Sequence, residues 1–390
     1  MLKGIRSVFN VAIREVGIWR KTPIYLFCMV VFPLLSIFFF TSMLQEGQPE
    51  NLPCGVIDED NSTTSRTIVR NLDALQSTQI VARYANFSEA KRAIQRNEIY
   101  AFLYIPKGTS TKMIGGRQPS VAFYYSNVSL VAGSLLFKDL KTITTLSSAA
   151  MGIEKLKMIG KTDKEISAYL QPITLDVHPI GNPYLNYNVY LTTFLVPGVL
   201  MLFMFLVTVY SIGTEMKFQR SKEWLAAANG NIFVALLGKL LPQFLVFLTI
   251  FIGYEWYVYD YLNFPHAGGV MKIFALGVLS VLSAQGFGAF VFGLIPTLRM
   301  ALSICSLWAM VGFSACGATF PVFAMNPMIE GLAQIIPLRH YYMIYQMAIF
   351  NGYPLHYSSY NLLCMVAFAS LPIVVLPNMK KAMMEYEYLP

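Results

Sequence analysis

No Asp, Glu, Lys or Arg occurs between Val177 and Thr214, and only Lys239 interrupts the stretch from Trp224 to Tyr254. A bilayer core of roughly 30 Å takes about 20 apolar residues as a helix, so such windows read as membrane spans. The chain is 390 residues long, 55% hydrophobic and only 13% charged, a balance too apolar for a soluble protein. Six windows qualify: 22–45, 188–212, 232–257, 273–295, 300–320 and 359–377. The expected fold is therefore a polytopic α-helical membrane protein with six transmembrane helices. The excess of 29 Lys and Arg over 21 Asp and Glu lies in several short flanks. That spread sets membrane orientation and argues against a nucleic-acid partner.

The second and third spans meet at residues 213–231, GTEMKFQRSKEWLAAANGN, a dense run of mixed charge. As one helix it would carry Lys217, Arg220 and Trp224 on one side by i, i+3 and i+4 spacing, with Glu215, Lys222 and Glu223 around the others. Two readings stand: a solvated turn carrying positive-inside charge, and a docking helix for a cytoplasmic protein.

Residues 1–21 place Ile5, Val8, Phe9, Ala12, Ile13, Val16 and Trp19 at helical spacing, with Lys3, Arg6, Arg14, Arg20 and Lys21 in other directions. This pattern suits an interfacial helix on an anionic leaflet. The following apolar window, 22–45, is longer than a signal-peptide core and lacks a small-x-small cleavage site, which favours a first span. Basic residues before it put the N-terminus in the cytoplasm, and Lys380 and Lys381 after the last span put the 378–390 tail there too.

Residues 46–187 have globular patterning and are expected to form an α/β domain outside the membrane. Strand-like runs at Cys54–Ile57, Gln79–Tyr84, Ile99–Ile105 and Val121–Tyr125 alternate with helical stretches at Thr63–Leu75 and Ser88–Arg96. Ser62 or Thr63 can cap the first helix, and Asn86 or Ser88 the second. Longer helices are expected over Leu130–Tyr169, with a return to the membrane through Pro172, Pro179 and Pro183. Asp58, Glu59 and Asp60 lack the spaced oxygen ligands of a calcium loop and read as a solvated turn. GKT at Gly160–Thr162 resembles the end of a phosphate loop, but Lys155 stands where its first glycine is required.

The five cysteines form no disulfide framework. Cys305 and Cys316 share one predicted helix, about 16 Å apart by helical rise, and cannot bridge. Small residues in the fourth span, among them Gly277, Ser280, Ala284, Gly286 and Gly293, permit close helix packing. Residues 321–358 are amphipathic, with Glu330, Arg339, His340 and many aromatics, and read as short helices in the outer interface or dipping back into the membrane. Phe320, Pro321, Phe323, Met325, Pro337 and His340 mark this segment as a candidate outer gate.

No HExxH, clustered Cys and His ligands, nucleophile elbow or dinucleotide loop occurs, so an enzyme has little support and no metal or cofactor is expected in this chain. Ion-coupled transport needs ionisable residues deep in the spans. Only Lys239 and Glu255 come close, both near span ends, where Lys239 can snorkel. Energy for active transport would then enter through a partner at 213–231.

Four stretches together resemble the permease subunits of ABC-2-type transporters, in the exporter subgroup with a large extracytoplasmic domain between the first and second spans. They are VIDEDNSTTSRTIVRNL, SEAKRAIQRNEIYAFLYIPKG, FLVPGVL and TFPVFAMNPMIEGLAQIIPLRHYYMIYQ. The resemblance covers nearly the whole chain. It implies a coupling helix after the second span that sits on an ATP-hydrolysing subunit, with Glu215, Lys217, Glu223, Trp224 and Leu225 at matching positions. Arg220 and Ser221 stand where Gly-Thr is usual, and Ala228 and Asn229 replace a common Thr-Pro. The resemblance further implies a permease dimer of like or unlike chains, two ABC ATPase subunits carrying ATP and Mg, often a periplasmic adaptor and an outer-membrane channel, and a substrate path near the second and fifth spans. The expected function is ATP-driven efflux of an amphipathic or hydrophobic molecule across the inner membrane. The alternative is a membrane receptor whose outer domain binds a ligand and whose inner loop signals.

Overall fold

The computed structural model describes residues 2–386 apart from 116, 173–177, 179 and 180. The expected passage through Pro179 lies outside the described residues. The chain divides into two units, residues 1–45 with 179–390, and residues 46–178.

The larger unit is helical. Its segments long and apolar enough to cross a membrane are Pro23–Met43, Asn188–Lys217, Ile232–Tyr261, Val270–Leu294, Leu298–Ala315 and Leu355–Glu385, the first to sixth spans. The protein is a multi-pass α-helical membrane protein. The second and fourth spans form its centre: 67% of the most apolar stretch of each is buried, against 28% in the first and sixth. The fourth span packs on the second and the sixth, and the fifth packs on the second. Gly286 makes one of these approaches possible, because a Cβ there would stand 2.3 Å from the Phe368 carbonyl oxygen of the sixth span.

Proline shapes two of the spans. Pro33 comes just after the π-helical turn Phe27–Val31, whose wider path relieves the clash between a proline ring and the carbonyl four residues earlier. Pro197 lies inside the Thr193–Lys217 helix that follows a second π-helical turn, Asn188–Thr192. In the sixth, Pro372 opens a helix that runs to Glu385. Lys380 and Lys381 therefore sit on that helix, exposed, rather than on a free tail.

Between the fifth and sixth spans the chain forms short helices at Pro327–Ala333 and Pro337–Ile344. The N-terminal helix, Leu2–Trp19, presents two faces. Ser7, Val11 and Glu15, at successive i+4 positions, are buried, whereas Ile5, Phe9, Ile13 and Val16 are exposed. Ile5, Phe9, Ile13 and Val16 of the apolar stripe thus stay open, whereas Ala12 is buried and Val8 and Trp19 are half-buried beside the protein-facing residues.

The smaller unit is an α/β domain. Its strands are β1 (Leu52–Asp58), β2 (Thr78–Arg83), β3 (Ala101–Ile105) and β4 (Ala122–Tyr125), in the order β2-β1-β3-β4. The β1 strand pairs in parallel with β2 and β3, and β4 closes one edge antiparallel to β3. Helices Thr63–Asp73 and Phe87–Gln95 supply the two crossovers, and Leu130–Met158 follows β4. Ser62 caps the first crossover in a reciprocal box with Ser65, and Asn86 caps the second. The Asp58 carboxylate accepts hydrogen bonds from the amides of Asp60 and Asn61 and from the Ser65 hydroxyl, which gives the acidic turn a structural task. Thr162 of the GKT stretch caps Asp163–Leu170 in a box with Glu165. A hydroxyl followed three residues later by a carboxylate is a helix start, and no phosphate loop forms there.

Candidate functional site

The charged stretch after the second span is not one helix. The second span ends at Lys217, Gln219 takes a left-handed φ of 54°, and a new helix runs over Ser221–Ala227. The Arg220 amide donates to the Glu215 carbonyl at 2.7 Å, closing the span in the reverse turn that a left-handed residue permits. Asn229 and Gly230, both at positive φ, end the short helix in the same way, and the Asn231 side chain caps the third span by accepting from the amides of Phe233 and Val234. The expected shared face of Lys217, Arg220 and Trp224 is broken by these turns. Lys217, Lys222 and Glu223 are exposed, Arg220 is half-buried, and Glu215 and Trp224 are fully buried.

The buried members belong to an ionic cluster drawn from three elements. Arg14 of the N-terminal helix grips Glu215 through two parallel hydrogen bonds, 2.8 and 2.9 Å. Lys239 of the third span lies 2.8 Å from Glu215 Oε1 and 2.5 Å from Glu15 Oε2. Trp19 Nε1 donates to the other oxygen of Glu15 at 3.3 Å. Two cations and two carboxylates alternate, so the cluster is neutral. Glu15, Glu215 and Lys239 are each no more than 1% exposed. Lys239 therefore does not snorkel: its ammonium is held inside by two carboxylates.

Trp224 seats the short helix on this cluster. Lys239 Nζ stands 5.2 Å from its ring centroid, and its indole N–H donates to the Ala235 carbonyl at 3.2 Å. Asn229 Nδ2 donates to Ser7 Oγ at 2.7 Å, and Ser221 Oγ approaches Met383 Sδ at 3.3 Å, tying the same link to the N-terminal helix and the last helix. Gly238 allows the N-terminal helix to reach this position, since a Cβ there would meet Val11 Cβ and the Val8 carbonyl oxygen at 2.7 Å. What remains outside is a small face of Lys217, Phe218, Gln219, Lys222 and Glu223, with Lys217 and Arg220 over the Phe218 ring at 5.7 and 5.0 Å.

Sequence reasoning missed Glu15 and treated Arg14 as a headgroup contact. A signal was available, because Lys239 is the one charge in the apolar stretch from Trp224 to Tyr254 and an intramembrane cation requires a partner.

The candidate outer gate does not gather into one patch. Phe320, Pro321 and Phe323 are exposed and Met325 is half-buried, whereas Pro337 and His340 are buried. His340 Nε2 lies 2.8 Å from the Gln334 carbonyl, and its Nδ1 lies 2.9 Å from the side-chain oxygen of Asn361 in the sixth span. It anchors the Pro337–Ile344 helix. Glu255, expected near a span end, is 5% exposed.

Six spans around a small-residue core, an interrupted link pinned by buried charge and an α/β insertion define a membrane transport component of the permease type. The family model described as ABC-2 family transporter protein matches residues 23–376, and the chain belongs to that family. No curated protein matches it. An ABC-2 permease is the membrane component of an ABC transporter and associates with an ABC ATPase subunit.

Proposed function

We propose that this chain is the permease subunit of an exporter that moves an amphipathic or hydrophobic molecule, and that a separate ATPase subunit, carrying ATP and Mg, docks on the face made by Lys217, Phe218, Lys222 and Glu223. In this reading both termini and the 213–231 link are cytoplasmic and the inserted domain is extracytoplasmic. The observation that carries the docking assignment is the contrast within the link. Its inner side is clamped by Glu215, Trp224 and Lys239, while its outer side stays exposed and charged. A rigidly rooted helix with a free polar face can pass a push from a partner into the second and third spans together. Glu215 and Trp224 then transmit the movement, and the exposed residues receive it.

Two such chains, like or unlike, would complete the path, with a periplasmic adaptor and an outer-membrane channel as further partners of the inserted domain. The test is reconstitution with the cognate ATPase in vesicles. Glu223→Arg should abolish ATP-dependent efflux while leaving the permease folded. Unchanged assembly and efflux would overturn the docking assignment.

A further inference from the structure

A cavity of about 230 Å³ lies where the outer part of the third span meets the start of the fourth, on the opposite side of the third span's length from Lys239. Glu255, Trp256, Tyr259, Asp260, His266 and Phe274 line it. Its rim is exposed at Trp256, Asp260 and Phe274, and its inner wall is buried at Glu255 and Tyr259. Glu255 is 5% exposed, and no hydrogen bond or ion pair reaches its carboxylate among the described residues. Lys272, at the start of the fourth span, is spent on the backbone carbonyls of Gly352 and Tyr353 at 3.4 and 2.9 Å. Gly277 gives the carboxylate its room: a Cβ there would stand 3.0 Å from Glu255 Oε2.

An ionisable group inside a membrane protein without a partner is costly, and the cost is relieved when a cation enters beside it. The walls select the kind of cation. A bare metal ion requires several converging oxygen ligands, and no group of three or more His, Cys, Asp or Glu able to hold one occurs among the described residues. Aromatic faces beside a carboxylate instead suit a weakly hydrated organic ammonium, held by charge and by cation–π attraction. We propose that this cavity binds the ammonium group of an amphiphile, with Glu255 as counter-ion, Asp260 at the rim, and Trp256, Tyr259 and Phe274 as the aromatic walls. The inference goes beyond the transport reading and does not depend on it, because binding is measured without an ATPase.

The test uses the full chain in nanodiscs of phosphatidylglycerol, which carries no ammonium, titrated with radiolabelled tetraethylammonium. Saturable binding of one cation per chain is expected. Glu255→Gln should weaken it about thirtyfold or more, the effect of removing one partner of a buried charge pair. Phe274→Ala, on the exposed wall, should weaken it about twofold to fivefold. Without the cation, Glu255→Gln should unfold at or above the parent's temperature, since it removes an unpartnered buried carboxylate, and Phe274→Ala close to it; only the parent and Phe274→Ala should gain stability when the cation is added. Replacing part of the lipid with phosphatidylethanolamine separates the sources of the ligand. A fall in tetraethylammonium affinity supports a lipid headgroup as occupant, and an unchanged affinity supports a free organic cation. Absence of saturable binding, or equal binding by a folded Glu255→Gln protein, overturns the proposal.

Discussion

Arg14 holds Glu215 by both carboxylate oxygens, at 2.8 and 2.9 Å, and so joins a helix outside the six spans to the last turn of the second span. Bidentate pairing fixes direction as well as distance. With Lys239 also on Oε1 of that carboxylate, the N-terminal helix and two spans meet at one group.

Lys239→Met should be strongly destabilising, because it leaves Glu15 and Glu215 buried with Arg14 as their remaining cation. Breaking a buried pair costs about 3–5 kcal/mol. The Glu15→Gln/Lys239→Met double variant should cost much less than the two single changes added together, since it removes charge in matched amounts. Thermal unfolding of all four proteins in one detergent checks this, and strict additivity would contradict the cluster.

Trp224→Ala should cost about 3–5 kcal/mol through lost packing. Trp224→Phe should cost less, on the order of 1–2 kcal/mol, for the hydrogen bond to Ala235 and the weaker face offered to Lys239. Limited proteolysis should cut the 217–231 link faster in the alanine variant, and the phenylalanine variant should fall between.

Gly238→Leu should push the N-terminal helix off the third span, as even a Cβ would meet Val11 Cβ and the Val8 carbonyl oxygen at 2.7 Å. In a chain carrying Ser7→Cys and Asn229→Cys, oxidative cross-linking should be efficient with Gly238 and severalfold weaker with Leu.

Acid should loosen the turn before helix Thr63–Asp73. A hydrogen bond from the Ser62 side chain, aided by Ser110, holds the Asp60 carboxyl below its ordinary value of 3.8. Because the folded value is the lower one, this contribution is present above pH 3.8 and disappears as pH falls through the folded value. Protection of the Ser110 amide, which donates to Asp60, measured against its intrinsic exchange rate at each pH, should fall across that window, and Asp60→Asn should flatten the dependence.

The α/β unit was legible in local pattern. Short apolar runs, turn residues and capping side chains recur there, and Ser62, Asn86 and Thr162 each act within three residues of their partners. Such signals survive in a one-dimensional reading because the interacting atoms are neighbours in the chain. The spans were legible for a similar reason, since apolar length alone decides what a bilayer accepts. The link at 213–231 was visible as a charged interruption. Its division by Gln219 was not, because glutamine is an uncommon residue at a left-handed position and gives no warning of the turn.

Sequence by itself determined that this chain spans a membrane six times, carries an α/β insertion, resembles ABC-2 permeases and keeps a charged link between its second and third spans. The spans, the insertion and the link follow from composition or from pattern within a few turns of chain, and the resemblance rests on four quoted stretches. Only the tertiary structure decided what the charges do. Glu15 and Lys239 are far apart in sequence, yet they meet because Gly238 lets the N-terminal helix lie against the third span. Buried carboxylates and ammonium groups are tolerated only in pairs, and which residues pair depends on helix packing that no local window contains.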